Sequence, residues 1–270
     1  MDQYRVFGNP IAQSKSPFIH QSFAAQSQCL LNYQSELVEL GQFEKAVNNL
    51  IANNGKGANV TAPFKEQAFA MCDELSEKAK LAGAVNTLIF TQGIIYGDTT
   101  DGIGLVSDLL RHQVILQDSH ILLLGAGGAA KGVVQALLDK APKSLTIANR
   151  TLSRAEAIAE QYPNKPIKAV TFSDTEHSQF DIIINATSAG LSGDSLPISN
   201  NTIENASTCY DMVYGKKPTA FLQQARLLGV EHVIDGLGML VGQAAASFQL
   251  WTDINPEVEP ILKSLREQLV

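Results

Sequence analysis

The sequence predicts an α/β protein of two lobes, the second of them a doubly wound parallel sheet. Three observations carry this. Short apolar runs of strand length alternate with amphipathic runs of helix length along nearly the whole chain, and such alternation implies right-handed crossovers and parallel pairing. The alternation restarts more strictly after a helical stretch at 101–113. A chain of 270 residues with 45% hydrophobic side chains also suffices for either one large α/β domain or two smaller cores.

The elements follow in order. "YRVFGNP" reads as a strand ending in a turn at Gly8, Asn9 and Pro10, and "SPFIHQSFAAQ" as a helix with Ser16 as N-cap and Pro17 at its first position. "LNYQSELVEL" is a second strand, and "QFEKAVNNLIANNG" a helix that stops at Gly55. "GANVTA" is a third strand, with helical segments from Pro63 to about Leu81. "NTLIFTQGIIYGDTT" reads as two strands joined through Gln92 and Gly93. After the helix at 101–113 come "HILLLGAGGAAKGVVQALLDK" and "SLTIANRTLSRAEAIAEQ", each a strand, turn and helix. "FDIIINATSAG" and "TCYDMVY" are strands, "TAFLQQARLLG" a helix and "EHVID" a strand. "LGMLVGQAAASFQLW" and "PEVEPILKSLREQLV" close the chain as helices.

The bulk numbers exclude several classes. A net charge of −7 with no basic run argues against a nucleic-acid binder. Three isolated cysteines, Cys29, Cys72 and Cys209, make neither a disulfide framework nor a thiolate zinc site. The start "MDQYRVFGNP" lacks a signal-peptide pattern, and runs such as "ILLL" fall far short of the ~20 apolar residues of a membrane helix. A soluble cytoplasmic protein without a metal site is expected. The five histidines share no metal or triad spacing, and His20, His112, His120, His177 and His232 read as helix-face or loop residues.

Chemistry is densest at two places. In "LLLGAGGAAKG", Gly125, Gly127 and Gly128, with Ala126 and Ala129 between and beside them, lie between an apolar strand and a helix. Glycines there permit a tight turn and close approach of a pyrophosphate, and the helix N-terminus favours its charge. This predicts a Rossmann-like dinucleotide site. The next strand, "SLTIA", ends in Asn149, Arg150, Thr151, Ser153 and Arg154 instead of a carboxylate. Guanidinium groups suit a 2′-phosphate, which a carboxylate would repel, so the expected cofactor is NADP. "NATSAG", with Thr187 and Ser188, would form a loop that a ligand crosses, or a plain polar turn.

The first lobe collects polar groups at element ends: Ser14 and Ser16 around Lys15; Asn59, Thr61 and Lys65; Asn86; Asp98 and Asp101. Such a set suits a small carboxylated or polyhydroxylated molecule. Hydride delivery to a carbonyl also needs a proton donor, which a lysine beside a carboxylate provides. Each residue has a plainer reading as a cap or a solvated charge.

The chain closely resembles the shikimate dehydrogenase family over essentially its whole length. The resemblance rests on "VFGNPIAQSKSPFIH", "GKGANVTAPFKE", "AGAVNT", "GDTTDG", "GAGGAA", "NRT", "INATSAG", "YDMVY" and "DGLGMLVGQAA". It implies reversible NADPH-dependent reduction of 3-dehydroshikimate to shikimate, a step of aromatic amino acid and chorismate biosynthesis. By motif, Lys65 would be the acid/base residue with Asp101 as partner. Ser14, Ser16 and Tyr214 would hold the substrate carboxylate, and Asn59, Thr61, Asn86 and Gln243 its ring hydroxyls. The glycine turn, Asn149, Arg150, Thr151 and Arg154 would bind NADP, and Ala186 to Ser188, Met212 and Gly236 the nicotinamide side. The implied division is a substrate-binding domain of 1–101 and 238–270 around an NADP-binding domain of 102–237, the C-terminal helices returning to the first lobe. The family often has Asn where this chain has Thr99.

Two rivals stand beside this reading: a quinate/shikimate dehydrogenase of broader range that uses NAD, and a non-catalytic NADP-binding sensor. The first lacks an acidic residue after "SLTIA", and the second has no use for a Lys–Asp pair. No helical seam or exposed apolar strip stands out, so a monomer is expected, with a homodimer as the alternative.

Overall fold

A computed structural model describes residues 1–176, 178–187, 189 and 196–269. The chain divides into two units, Met1–Gly104 with Val241–Leu265, and Leu105–Leu240 with the segment from Arg266.

The first unit runs β1 (Asp2–Gly8), α1 (Ser16–Gln26), β2 (Leu31–Leu37), α2 (Phe43–Ala52), β3 (Gly55–Val60), α3 (Lys65–Met71), β4 (Glu74–Leu75), α4 (Glu77–Ala82), β5 (Thr87–Thr91) and β6 (Ile94–Asp98). Its strands lie in the order β2-β1-β3-β5-β6-β4. The sheet is mixed: β1 pairs parallel with β2 and β3, whereas β5 runs antiparallel to both β3 and β6. The hairpin turn between β5 and β6 needs two positive φ angles, and Gln92 and Gly93 supply them at 50° and 80°.

Phe7, Phe43, Val47, Phe64 and Leu88 form the apolar core of this unit. Phe43 and Phe64 stack with centroids 5.1 Å apart, and burying one such ring stabilises the fold by about 1.5–3 kcal/mol. Phe64 immediately precedes α3, so this anchor sets where α3 begins, with Lys65 as its first residue.

Two local expectations are corrected here. Helix α1 has Lys15 at its cap position, and Ser16 is its first residue; the N–H of Ser16 is satisfied by Ser14 Oγ at 3.3 Å. Helix α2 ends through Asn54 in the left-handed region, at φ 60°. Gly55 instead opens β3, packed so closely on Leu50 that no Cβ fits. The helical segments expected from Pro63 to about Leu81 are α3 and α4, and between them stands an unexpected strand, β4, which pairs with β6.

The second unit runs β7 (His120–Leu124), α6 (Gly128–Leu138), β8 (Ser144–Ala148), α7 (Leu152–Ala159), β9 (Ile167–Val170), β10 (Ile182–Asn185), α8 (Asn200–Glu204), β11 (Thr208–Asp211), α9 (Ala220–Leu227) and β12 (His232–Asp235). All pairings are parallel, in the order β12-β11-β10-β7-β8-β9. This is the doubly wound order, whose direction reverses between β7 and β10; ligands bind outside the carboxyl ends of the strands at such a point. Periodicity alone did not flag β9 or α8, which are only four and five residues long.

The division between units falls within α5 (Asp101–Arg111) and α10 (Leu237–Thr252); α11 (Glu259–Leu269) follows. From Val241 onward α10 belongs to the first unit, where the Trp251 indole N–H donates to Leu88 O at 3.0 Å. Among the described residues no helix is long and apolar enough to cross a membrane.

Candidate active site

The first unit gathers its polar residues at the ends of β3, β5 and β6 and the starts of α3 and α5. The side chains of Lys65, first in α3, and Asp101, first in α5, meet: Nζ of the lysine donates to Oδ2 of the aspartate. Each end of the pair is held by the backbone around it. Lys65 O accepts from Val85 N at 3.0 Å. Asp101 sits in the first turn of α5, where the helix dipole favours a negative charge. Its other oxygen, Oδ1, accepts from Asn86 Nδ2 at 2.9 Å.

Asp98 fixes the loop that leads into α5. It is 3% exposed and accepts from Ser76 Oγ at 2.6 Å and Thr99 N at 2.7 Å, with Lys78 Nζ 3.2 Å away. Thr99 is buried, and its backbone N–H closes this turn.

Asn86 lies behind the pair. Its Oδ1 accepts from Thr100 N at 2.9 Å and from Thr87 Oγ1 at 2.8 Å, while Nδ2 also donates to Thr100 Oγ1 at 3.0 Å and reaches Gln243 Oε1 at 3.3 Å. Gln243 comes from α10, so the returning C-terminal segment closes this side of the site.

Asn59 is 5% exposed, and its carboxamide is hydrogen-bonded inside the unit. Oδ1 accepts from Tyr33 Oη at 2.7 Å, and Nδ2 donates to Asn86 O at 3.1 Å and Ser247 Oγ at 3.0 Å. Asn59 thus braces Asn86 from behind. Ser16 is also buried. Ser14 is half-buried beside it, and Thr61 lies half-buried at the end of β3, its N–H on Phe7 O at 2.9 Å.

His20 lies on a helix face, as expected, and that face of α1 is buried: the residue stacks on Tyr33 with centroids 4.2 Å apart, close to Phe248 and Trp251. Burial pushes its pKa down to about 3.

In the second unit a cavity of about 530 Å³ opens at the carboxyl ends of β7, β8, β9 and β10. It is lined by Gly125, Ala126, Gly127, Gly128 and Ala129, then Asn149 and Arg150, Phe172, Ala186, Thr187 and Ala189, Leu196 and Pro197. The glycines divide by cause. Gly125 has φ 103° and lies against Thr187 and the Ala186 backbone, so the turn itself requires it. Among the described residues, no protein atom lies within 4 Å of where a Cβ of Gly127 or Gly128 would stand. That space suits a ligand pressed to the backbone at the start of α6. A dinucleotide pyrophosphate fits this cradle.

Beyond β8, Asn149 Nδ2 donates to Thr151 O at 2.8 Å, and Thr151 stands at the cap of α7. Arg150 and Arg154 are both exposed there. Thr187 is fixed by the buried Asn185, whose Oδ1 accepts from Thr187 N at 3.0 Å and Oγ1 at 2.7 Å. Ser188 lies outside the described residues, as do His177 and Gly190.

Met212 and Gly236 pack backbone against backbone, leaving no room for a side chain at position 236. Tyr214 is half-buried, and burial raises its phenol pKa. The loop carrying Met212 and Tyr214 is pinned by Asp211, which is fully buried and accepts from Val213 N at 3.0 Å and Thr219 Oγ1 at 2.6 Å. Burial raises the pKa of the Asp211 carboxyl, and these hydrogen bonds partly offset it.

Sequence reasoning missed several of these residues. Tyr33, Thr87 and Ser247 enter the polar cluster from β2, β5 and α10, and only the fold brings them together. Phe172, Leu196 and Pro197 line the cavity from segments with no motif of their own.

The matches to known proteins cover both units. Residues 6–88 match a family model described as the shikimate dehydrogenase substrate binding domain. Residues 108–210 match shikimate / quinate 5-dehydrogenase, and 236–266 the shikimate 5'-dehydrogenase C-terminal domain. The chain is 56% identical over 268 residues to a shikimate dehydrogenase (NADP(+)) of Colwellia psychrerythraea, covering 99% of this chain and 98% of that protein. It is 52% identical over 271 residues to a protein of the same name from Vibrio atlanticus, covering 100% and 98%. Among solved structures, shikimate 5-dehydrogenase from Thermus thermophilus in complex with NADP(H) and shikimate aligns with a TM-score of 0.89 at 30% identity, over 100% of both chains.

Proposed function

Since the chain belongs to the shikimate dehydrogenase family, we propose that it catalyses the reversible NADPH-dependent reduction of 3-dehydroshikimate to shikimate, with Lys65 as acid/base residue and Asp101 as its partner. The observation that carries the assignment is the Lys65–Asp101 contact, braced on the far carboxylate oxygen by Asn86. NADPH, when bound, supplies the hydride to the ring ketone. Lys65 gives a proton to the oxygen that was the carbonyl, and takes it back in the reverse direction. Asp101 holds the ammonium in place, and Asn86 keeps that carboxylate from rotating away. Ser14 and Ser16, at the start of α1, together with Tyr214, orient the substrate carboxylate. Asn59, Thr61, Asn86 and Gln243 bind ring hydroxyls.

For the cofactor, the open space over Gly127 and Gly128 supports a pyrophosphate at the start of α6. Asn149, Arg150, Thr151 and Arg154 hold the 2′-phosphate, Thr187 and Ser188 flank the nicotinamide side, and Met212 and Gly236 complete it. The domain division follows the same reading, with 1–101 and 238–270 binding substrate and 102–237 binding NADP. The protein acts in the cytoplasm as a monomer.

The matched family description also includes quinate, so a broader enzyme is the second reading. Steady-state assays of shikimate and quinate oxidation, each with NADP and NAD, separate the two. The proposal expects kcat/KM to favour shikimate and NADP; near-equal values for the two cofactors overturn the NADP assignment. Lys65→Ala is expected to lower kcat by about 10²–10⁴-fold with little change in KM. An unchanged kcat removes Lys65 from the chemistry.

A further inference from the structure

Behind the Lys65–Asp101 pair lies a closed ring of hydrogen bonds in the dry interior of the first unit. Its members are Asn86, Thr87, Thr100 and Ser247, all 5% exposed or less. The orientation of Asn86 follows from groups that can act in only one sense. Thr100 N can only donate, and it donates to Asn86 Oδ1, so Asn86 Nδ2 faces the Asp101 carboxylate. The second N–H of Asn86 goes to Thr100 Oγ1 at 3.0 Å. Ser247 Oγ closes the ring, 3.1 Å from Thr100 Oγ1 and 2.8 Å from Thr87 Oγ1. The Thr87 hydroxyl returns the chain to Asn86 Oδ1 at 2.8 Å. Asn59 braces the ring from outside, donating to Ser247 Oγ at 3.0 Å.

Ser247 is the only member of this ring that comes from α10. It stands one helical turn past Gln243, and its hydroxyl donates to Gln243 O at 3.0 Å. The ring has one consequence for the site. It fixes the Asn86 carboxamide in the one orientation that places an N–H on Asp101 Oδ1, which leaves Oδ2 for Lys65. Without Ser247, the Thr100 hydroxyl loses its acceptor in the ring. It is left with Asn86 Oδ1 at 3.2 Å, already used by Thr87 and Thr100 N, and with Thr87 Oγ1 at 3.5 Å. A third donor crowding the amide oxygen would turn Asn86 and release its hold on Asp101.

We propose that Ser247 is a positioning residue that acts through Thr100, Thr87 and Asn86 to aim the Asp101 carboxylate at Lys65. The proposal rests on the assignment of Lys65 and Asp101 as the proton-transfer pair.

The test measures kcat and KM for shikimate with NADP in Ser247→Ala, in the isosteric ring-breaking variant Thr87→Val, and in Asp101→Asn with and without Ser247→Ala. Both ring variants should lower kcat about tenfold or more with KM for shikimate within about twofold, since misplacing the pair costs rate more than binding. In the Asp101→Asn background, adding Ser247→Ala should cost no further kcat, because the ring then has no carboxylate to aim. A ring variant with a lowered unfolding midpoint but wild-type kcat shows a purely structural hydroxyl and overturns the proposal. So does a further loss of kcat in the Asp101→Asn background, or failure of both ring variants to fold. Wild-type kcat in Asp101→Asn itself overturns the underlying assignment instead, whatever Ser247 does.

Discussion

The indole of Trp251 occupies the space that a side chain at Gly57 would take: a Cβ built on that glycine comes within 2.5 Å of the indole nitrogen and of Leu88 O, its hydrogen-bond acceptor. Gly57, on β3, thus makes the seat by which the end of α10 docks on the first unit's sheet. Gly57→Ala should displace the indole, break the bond to Leu88 O and lower unfolding free energy by about 1–3 kcal/mol. Urea denaturation checks this, and an unchanged midpoint would show that the seat adjusts freely.

Gly127 gives the opposite expectation. Among the described residues no protein atom lies within 4 Å of its would-be Cβ, and its φ of −88° is ordinary for any residue. Gly127→Ala should therefore fold with a wild-type unfolding midpoint yet raise KM for NADP about tenfold, because the methyl group meets the pyrophosphate. Parallel loss of stability and of cofactor affinity would instead mean that the turn needs the glycine for itself.

The exposed pair Arg150 and Arg154 should read the 2′-phosphate. Arg150→Ala is expected to raise KM for NADP about 10–100-fold and to change KM for NAD less than about twofold, since only NADP carries that phosphate. Adding Arg154→Ala should extend the effect, and higher salt should weaken the wild-type preference. Equal losses with both cofactors would place these arginines elsewhere in the site's function.

His20 makes stability depend on pH. In the unfolded chain its ring titrates near 6.5, and in the fold burial lowers this to about 3. Between those values the unfolded chain binds the extra proton, so stability rises with pH across the window and is complete above the upper value. From pH 6.5 down to 5 the loss is about 2 kcal/mol, at about 1.4 kcal/mol per unit. His20→Phe keeps a ring against Tyr33 and should remove that part of the pH dependence, measured as the difference in urea midpoints at pH 7 and 5. An unaltered difference would show that other groups set it.

Much of the fold was legible because it rests on local patterns. The apolar run before Gly125, the turn at Gln92 and Gly93, and the alternation after residue 113 each record a backbone choice made within a few neighbours. The errors arose where neighbours distant in sequence decide. Gly55 has the look of a helix stop, but it is required by the Leu50 side chain packed against it. Ser16 resembled a cap because Ser before Pro commonly is one, yet the helix starts one residue earlier.

By itself the sequence determined the two-lobed α/β architecture, the glycine turn after β7, and the absence of a carboxylate after β8, because each depends on residue type at short range. Tertiary structure alone decided what those polar residues touch. Lys65 and Asp101 are 36 positions apart, and Asn59 and Ser247 are 188 apart. Hydrogen bonds inside a dry core depend on which strand and helix ends converge, and no local period encodes that. Hence Asn59, which by type could serve a ligand, is also a buried brace, while Ser247, carried on an apolar helix without any motif of its own, joins the ring behind Asp101.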